Sequence, residues 1–147
     1  MSINFDKFAQ QGNFYIKQLA EDLGHPEDLS QTSILLRSVL HAVRDRISFQ
    51  ESLHFLSQLP MFLKALYVET WVYDTDSTQI KRLEEFKTAV KDVQMKFGER
   101  QFDWKESTEE LISKVLQSLG KHFLTEGQLS HVAEQMPKEV KPLFPYH

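Results

Sequence analysis

Apolar residues recur at three- and four-residue steps along most of the chain, a spacing that places them on one face of an α-helix. The most apolar run predicts a helix over about 29–47, with apolar positions at Leu35, Leu36, Val39, Leu40, Val43 and Ile47. A matching run predicts a helix over about 107–123, with Leu111, Ile112, Val115, Leu116, Leu119 and Phe123. No stretch shows the sustained alternation that is typical of a strand. The pattern therefore predicts an all-α protein.

The two runs belong to an internal repeat, which is marked by a phrase that occurs twice. Gln58-Leu59-Pro60 in the first half corresponds to Gln135-Met136-Pro137 in the second, and a helix-start signal precedes each phrase, at Ser48 and at Thr125. In a capping box, such a hydroxyl residue and the Glu or Gln three positions later satisfy free backbone N–H groups. Because proline disfavours helical conformation in the preceding residue, each phrase predicts a corner between two helices.

This repetition predicts the domain organisation. We expect repeat 1 over about residues 4–73 and repeat 2 over about 78–146, with about four helices in each and an approximate twofold axis between them. The two most apolar helices would form a central pair, since such broad stripes need cover from more than one side. The sequence thus predicts two pseudo-symmetric helical repeats packed as a single helical bundle domain over residues 1–147.

The ends of several helices are also predicted. The first helix should begin after Asn4 and end before Gly24. Its apolar stripe consists of Phe5, Phe8, Gly12, Ile16, Leu19 and Leu23. The last helix of repeat 1 is expected to follow Pro60 and to continue towards Trp71, whereas Pro142 should shorten its counterpart in repeat 2.

The composition limits the classes of partner and of site. Hydrophobic residues make up 41% of the 147 residues, enough for a core, and the formal net charge is −4 with no strongly basic segment. This balance argues against a nucleic-acid partner. The absence of cysteine excludes disulfides, thiol nucleophiles and thiolate metal sites. The amino terminus lacks a signal-peptide pattern, and no apolar run approaches the ~20 residues that span a bilayer. We therefore expect a soluble cytoplasmic protein without a membrane partner.

The residues from Ile34 to Trp71 resemble those of a known family. The Gln-Leu-Pro phrase at 58–60, Tyr67 and Trp71 follow one another in the order seen in an uncharacterised bacterial family, domain of unknown function 2267. The resemblance extends over nearly the whole chain and implies an all-helical fold with a doubled unit. It brings no activity, cofactor or catalytic residue with it.

Candidate reactive groups are few. His54 and His131 occupy equivalent positions in the repeats, and both lie off the predicted buried stripes. A metal site needs three or four ligands, so duplication of an ancestral residue explains this pair without a metal. Acidic residues in the predicted helices lie near lysines, at spacings typical of a solvated surface. The sequence contains neither a nucleophile motif nor a phosphate-binding glycine loop. It predicts no catalytic residue, metal or cofactor, and it favours a protein that is not an enzyme.

The apolar side chains that follow Pro60 exceed what one face of a short helix can bury. They include Met61, Phe62, Tyr67, Trp71 and Tyr73. These side chains either pack between the repeats or form a patch that binds a partner. Our first hypothesis is a non-enzymatic protein-interaction or regulatory module, which uses this patch to bind another protein or itself. The alternative is a small-ligand-binding protein, or an unrecognised enzyme, with a pocket between the two repeats.

Overall fold

The computed structural model describes residues 3–72, 82–97 and 104–145. Within these ranges the chain forms α-helices and a short 3₁₀ helix, and it forms no strand. The α-helices are α1 (Phe5–Leu23), α2 (Leu29–Arg46), α3 (Phe49–Ser57), α4 (Met61–Val68), α5 (Leu83–Lys96), α6 (Thr108–His122) and α7 (Glu126–Glu134). The 3₁₀ helix, Lys141–Leu143, follows α7 and contains Pro142. The predicted all-α class is confirmed.

Polar side chains at the predicted positions start the helices. The Asn4 side chain accepts a backbone N–H in the first turn of α1. Ser48 does the same at the start of α3, where it accepts the Glu51 N–H over 3.2 Å. Before α7 the predicted capping box is complete, because the side chains of Thr125 and Gln128 each accept the other residue's backbone N–H. These bonds satisfy donors that a helix leaves free at its first turn.

The core is built around α2, which is buried over most of its circumference. Its buried positions include the predicted stripe and the small or polar residues between: Thr32, Leu35, Leu36, Ser38, Val39, Leu40, His41, Ala42, Val43 and Arg44. The helix contacts α1, α4, α5 and α6, and its most extensive contact is with α5. A helix that is buried on several sides needs such a ring of neighbours, since each apolar face must be covered.

The second predicted central helix, α6, also contributes to the core. Its buried residues are Leu111, Ile112, Val115, Leu116, Ser118 and Leu119, and Phe123 packs partly buried at its end. The helix contacts α1, α2 and the 3₁₀ helix. Both predicted stripes therefore face one shared hydrophobic cluster, although α2 contacts α5 more extensively than it contacts α6. The repeat boundaries and the twofold relation between the repeats stay predictions.

The last helix of the first half is shorter than predicted. It begins after Pro60 as expected, but it ends at Val68 instead of continuing towards Trp71. Thr70 then takes a positive φ of 56°, a left-handed conformation that a continuing helix does not contain. The chain consequently turns, and the Trp71 ring packs against α3 at Phe49, with 5.6 Å between the ring centroids.

A buried arginine explains why α4 ends where it does. Arg44, on α2, donates to the backbone carbonyls of Tyr67 and Glu69 over 2.9 and 2.8 Å. The final carbonyls of a helix have no partner within the helix, so a fixed guanidinium at this point stabilises its end. The same guanidinium lies 5.9 Å from the centroid of the Trp71 ring. The end of α4 could not be predicted from its own sequence, because the residue that caps it lies in α2.

We expect Leu40→Ala, in the most buried part of α2, to lower the free energy of unfolding by about 2–5 kcal/mol, because it removes packed atoms and leaves a cavity. Leu116→Ala in α6 should have an effect of similar size. Leu53→Ala is the matched control, since Leu53 lies exposed on α3 and its loss should change stability by less than about 0.5 kcal/mol. Urea titration measures all three variants. An equal, small effect for Leu40→Ala and Leu53→Ala would contradict the burial of α2.

Candidate functional site

The N-terminal half of α1 contributes no buried residue to the fold. The buried positions of this helix begin at Tyr15 and continue with Leu19, Ala20 and Leu23. Immediately before them, the Phe14 side chain is 72% exposed on a regular helical backbone. A large aromatic ring held in water, beside other apolar surface, marks a candidate binding surface.

An apolar groove lies beside Phe14, and we call it the aromatic groove. It encloses about 420 Å³ between α1, the start of α4 and the end of α6. Its lining residues are Gln10, Gln11, Phe14, Tyr15, Gln18, Pro60, Phe62, His122 and Phe123. The volume lies at the lower end of the range for ligand sites, which is about 300–1,000 Å³. The groove joins residues from both halves of the chain.

Three aromatic rings form the floor of the aromatic groove. The Tyr15 and Phe123 rings meet edge to face with centroids 4.8 Å apart, and Phe62 lies 5.8 Å from Phe123 and 6.0 Å from Tyr15. Such tilted and edge-on contacts are favourable for aromatic rings. The Phe62 side chain also lies 3.5 Å from the point where a Cβ on Gly12 would stand, so α1 and α4 approach closely here. Contacts within the chain itself therefore form and pack the floor.

Hydrogen bonds behind the floor hold Tyr15 in place. Its hydroxyl shares a 2.8 Å hydrogen bond with the buried Ser118 of α6. Ser118 in turn lies 3.4 Å from the carboxylate of Asp22, and the His122 imidazole lies 3.6 Å from the same carboxylate. Burial raises the pKa of the Tyr15 hydroxyl above its ordinary value, so this group stays protonated. The network fixes α1 against α6 and leaves Ser118 shielded from solvent.

The predicted aromatic patch after Pro60 does not lie on one surface. Tyr67 is fully buried, where its hydroxyl shares a 2.8 Å hydrogen bond with Ser52, so it belongs to the core. Phe62 lies in the floor of the aromatic groove, Met61 is half exposed, and Trp71 is partly buried. Tyr73 lies outside the described residues. Binding of a partner by Met61, Phe62 or Trp71 stays a prediction.

Phe14 and Tyr15 were not predicted as site residues from the sequence. Both lie off the apolar stripe assigned to the first helix, and the floor of the groove requires the relative positions of three helices. A signal was nevertheless present in the sequence, since Phe14 shares the polar face of the helix with Gln10, Gln11 and Gln18.

The two histidines at equivalent repeat positions come close together. The His54 and His131 rings lie 6.3 Å apart at the junction of α3 and α7. His131 pairs over 3.1 Å with Glu51, whose side chain is largely buried. The Glu51 carboxylate therefore pairs with a residue of the other half instead of completing the capping box at the start of α3. The Ser48 backbone N–H instead donates to the side-chain oxygen of Gln135 over 3.5 Å. The cluster joins the two halves.

Another polar cluster lies beyond the carboxyl end of α1. The His25 ring stacks on Trp104 with centroids 3.9 Å apart, and its Nε2 lies 2.9 Å from the Glu106 carboxylate. That hydrogen bond lowers the pKa of Glu106 below its ordinary value. Trp104 also donates to Asp28 over 3.2 Å. These contacts connect the loop after α1 to the segment before α6, so the cluster has a structural role.

The remaining chemistry of the described residues is limited. No group of three or more His, Asp or Glu side chains within residues 3–72, 82–97 and 104–145 is arranged to hold a metal ion. Over the same ranges, no helix is long and apolar enough to cross a bilayer. In the aromatic groove, the titratable side chains are Tyr15 and His122. The lining therefore offers no pair of carboxyl groups for acid–base chemistry.

The structure thus defines a helical bundle with an apolar surface groove. The chain belongs to the family of uncharacterized conserved proteins known as DUF2267, whose sequence profile matches residues 13–143. The suspected family is confirmed. No curated protein matches the sequence.

The pair Glu51–His131 should contribute measurably to stability because it connects α3 to α7. In a double-mutant cycle with Glu51→Gln and His131→Ala, we expect a coupling free energy of roughly 0.5–1 kcal/mol, limited by the exposure of the imidazole. The same cycle with His54→Ala in place of His131→Ala is the control. It should show coupling near zero, since His54 bonds to Gln58 instead. Equal coupling in the two cycles would contradict the pairing.

Because His41 is buried, we expect the free energy of unfolding to decrease at acidic pH. Its Nε2 donates to the Leu66 carbonyl over 2.7 Å, and burial is the main cause that lowers the pKa of the ring below its ordinary value of 6.5. The neighbouring charges oppose one another, because Arg44 lowers this pKa whereas Glu69 and Asp45 raise it.

The unfolded chain binds a proton at His41 more readily than the folded chain does. The stability from a neutral His41 is therefore fully present above about pH 6.5 and is lost as the pH falls through this value towards the lower pKa of the folded state. We expect His41→Gln to reduce that dependence in urea titrations between about pH 7 and pH 5.5. His54→Gln, at an exposed position, should leave it unchanged, and an unchanged slope in both variants would contradict the assignment.

Proposed function

We propose that this protein is a non-enzymatic interaction module, located in the cytoplasm, which binds an α-helix of a protein partner in the aromatic groove. The observation that carries the proposal is the exposed Phe14 ring at the edge of an aromatic floor that is already packed. Amphipathic helices bind in such grooves by inserting a few apolar side chains. A partner helix that lies along α1 would cover the Phe14 ring and the groove together.

The edge of the groove suits a helix that presents an apolar side chain among polar groups. Gln10, Gln11 and Gln18 line it along α1, and their amides can donate and accept hydrogen bonds without a requirement for charge. Interfaces are typically built from aromatic anchors within a polar rim. Phe14 and Phe62 are suited to the role of anchors, and the glutamines to that of the rim.

A second candidate function is the binding of a small ligand in the same groove. Its support is the volume of about 420 Å³ and the lining by residues from both halves of the chain. An apolar ligand with one polar group near His122 would match this lining. A small ligand in the groove would, however, leave the outward-facing part of Phe14 in water, which is why a protein helix is favoured.

A photo-crosslinking amino acid at the position of Gln11 tests the proposal in living cells that produce the protein. We expect one or a few protein adducts of defined mass, which Phe14→Ala should strongly reduce because it removes the exposed anchor. The matched control carries the crosslinker at Met95, an exposed position on α5 outside the groove. Its adducts should be absent or different.

Two results would contradict a protein-binding groove. One is the same set of adducts from positions 11 and 95, and the other is no protein adduct from position 11. In the second case, a thermal-shift screen with lipids and nucleotides tests the small-ligand function. A ligand that binds the native state raises Tm, and Phe62→Ala should abolish that rise if the ligand occupies the groove.

A further inference from the structure

We infer that the helix which binds along α1 is α1 of a second copy of this chain, in an antiparallel pair with Phe14 at a twofold axis. The inference rests on the proposed function, because it names the partner for the same surface. It is carried by the order of charged and apolar residues on the exposed face of α1, and by the shape of the surface beside it.

Three exposed residues follow one another at intervals of seven along α1: Lys7, Phe14 and Glu21. Seven residues make almost two helical turns, so the three side chains lie within about 40° of one another around the helix axis. Each charge lies roughly 10.5 Å along the axis from Phe14, one on either side. This face of α1 therefore presents a positive, an aromatic and a negative group in a line.

A twofold axis through Phe14 makes this face complementary to itself. An antiparallel second copy places its Glu21 opposite Lys7 and its Lys7 opposite Glu21, so that both ends of the pair carry opposite charges. A parallel pair would instead place like charges together, which disfavours it. Neither Lys7 nor Glu21 forms an ion pair with another residue in the described parts of the chain, so both charges are available.

Between the two charged ends, the pair is held by contacts of Phe14, Gln10 and Gln18. The Phe14 rings of the two copies meet at the axis, and each lies at the edge of the other copy's aromatic groove. Gln10 and Gln18 lie at similar distances on either side of Phe14, so their amides face each other across the pair. Phe14 supplies most of the affinity, since apolar burial dominates association, while the charges determine the direction of the helices. Such isologous pairing is the commonest form of oligomer.

Charge reversal in the chain of residues 1–147 tests the inference, with sedimentation equilibrium as the measurement. We expect the unmodified chain to form a dimer, and Phe14→Ala to weaken it. Lys7→Glu and Glu21→Lys should each weaken self-association by roughly tenfold or more, because both attractive pairs of the dimer become repulsive. An equimolar mixture of the two variants should restore the dimer, since opposite charges then face each other at both ends.

Lys91→Glu, at an exposed position on α5, is the matched control for the change in net charge and should leave the dimer intact. The variant with both Lys7→Glu and Glu21→Lys should dimerise by itself, which also shows that the substituted helix folds. A chain that stays monomeric at about 1 mM overturns the inference. The antiparallel α1 pair is overturned if neither charge reversal weakens the dimer. It is also overturned if the equimolar mixture of the two variants does not restore the dimer.

The crosslinking experiment separates failure of this inference from failure of the proposed function. A monomeric chain that still gives a Phe14-dependent adduct with a different protein retains the groove as an interaction site but excludes self-pairing. A monomeric chain without any protein adduct contradicts both. Dimerisation through α1 should also give a crosslinked dimer from position 11, and no such dimer from position 95.

Discussion

Burial of α2 on several sides at once is the constraint on which the rest of the structure depends, because α1, α4, α5 and α6 all contact it. The buried residues of α2 are not all apolar, and each buried polar group must find a partner. His41 and Arg44 satisfy this requirement by donating to backbone carbonyls at the end of α4. The same two side chains therefore permit burial of α2 and fix where α4 ends.

The candidate site is a consequence of how α1 covers this core. Only its second part, from Tyr15 onwards, has buried residues, and the Tyr15–Ser118 hydrogen bond attaches it to α6. The first part carries Phe14 on its exposed face, beside the floor formed with Phe62 and Phe123. A helix that is longer than the core it covers leaves such a face available, and nothing else in the described structure contacts the Phe14 ring closely enough to bury it.

Local features of the fold were predictable from the sequence, whereas features that depend on tertiary contacts were not. Periodicity and capping residues predicted the start of α1 at Asn4 and that of α7 at Thr125, since both signals act within one turn of a helix. The early end of α4 depends on Arg44, which lies in a different helix. The partner of Glu51 was not predicted for the same reason. Its carboxylate could accept either the Ser48 N–H in a capping box or the imidazole of His131, and His131 lies in a different helix. The aromatic groove requires three helices in their final positions.

Native-state hydrogen exchange tests most directly whether one core around α2 leaves the first part of α1 outside it. At a dilution where the chain is monomeric, amides near Val39 in α2 and near Val115 in α6 should exchange with the same free energy of opening, equal to that of global unfolding. Amides before Tyr15 in α1 should open at a lower free energy. If α6 keeps its protection while α2 opens separately, or if the first part of α1 is as protected as α2, the account is contradicted.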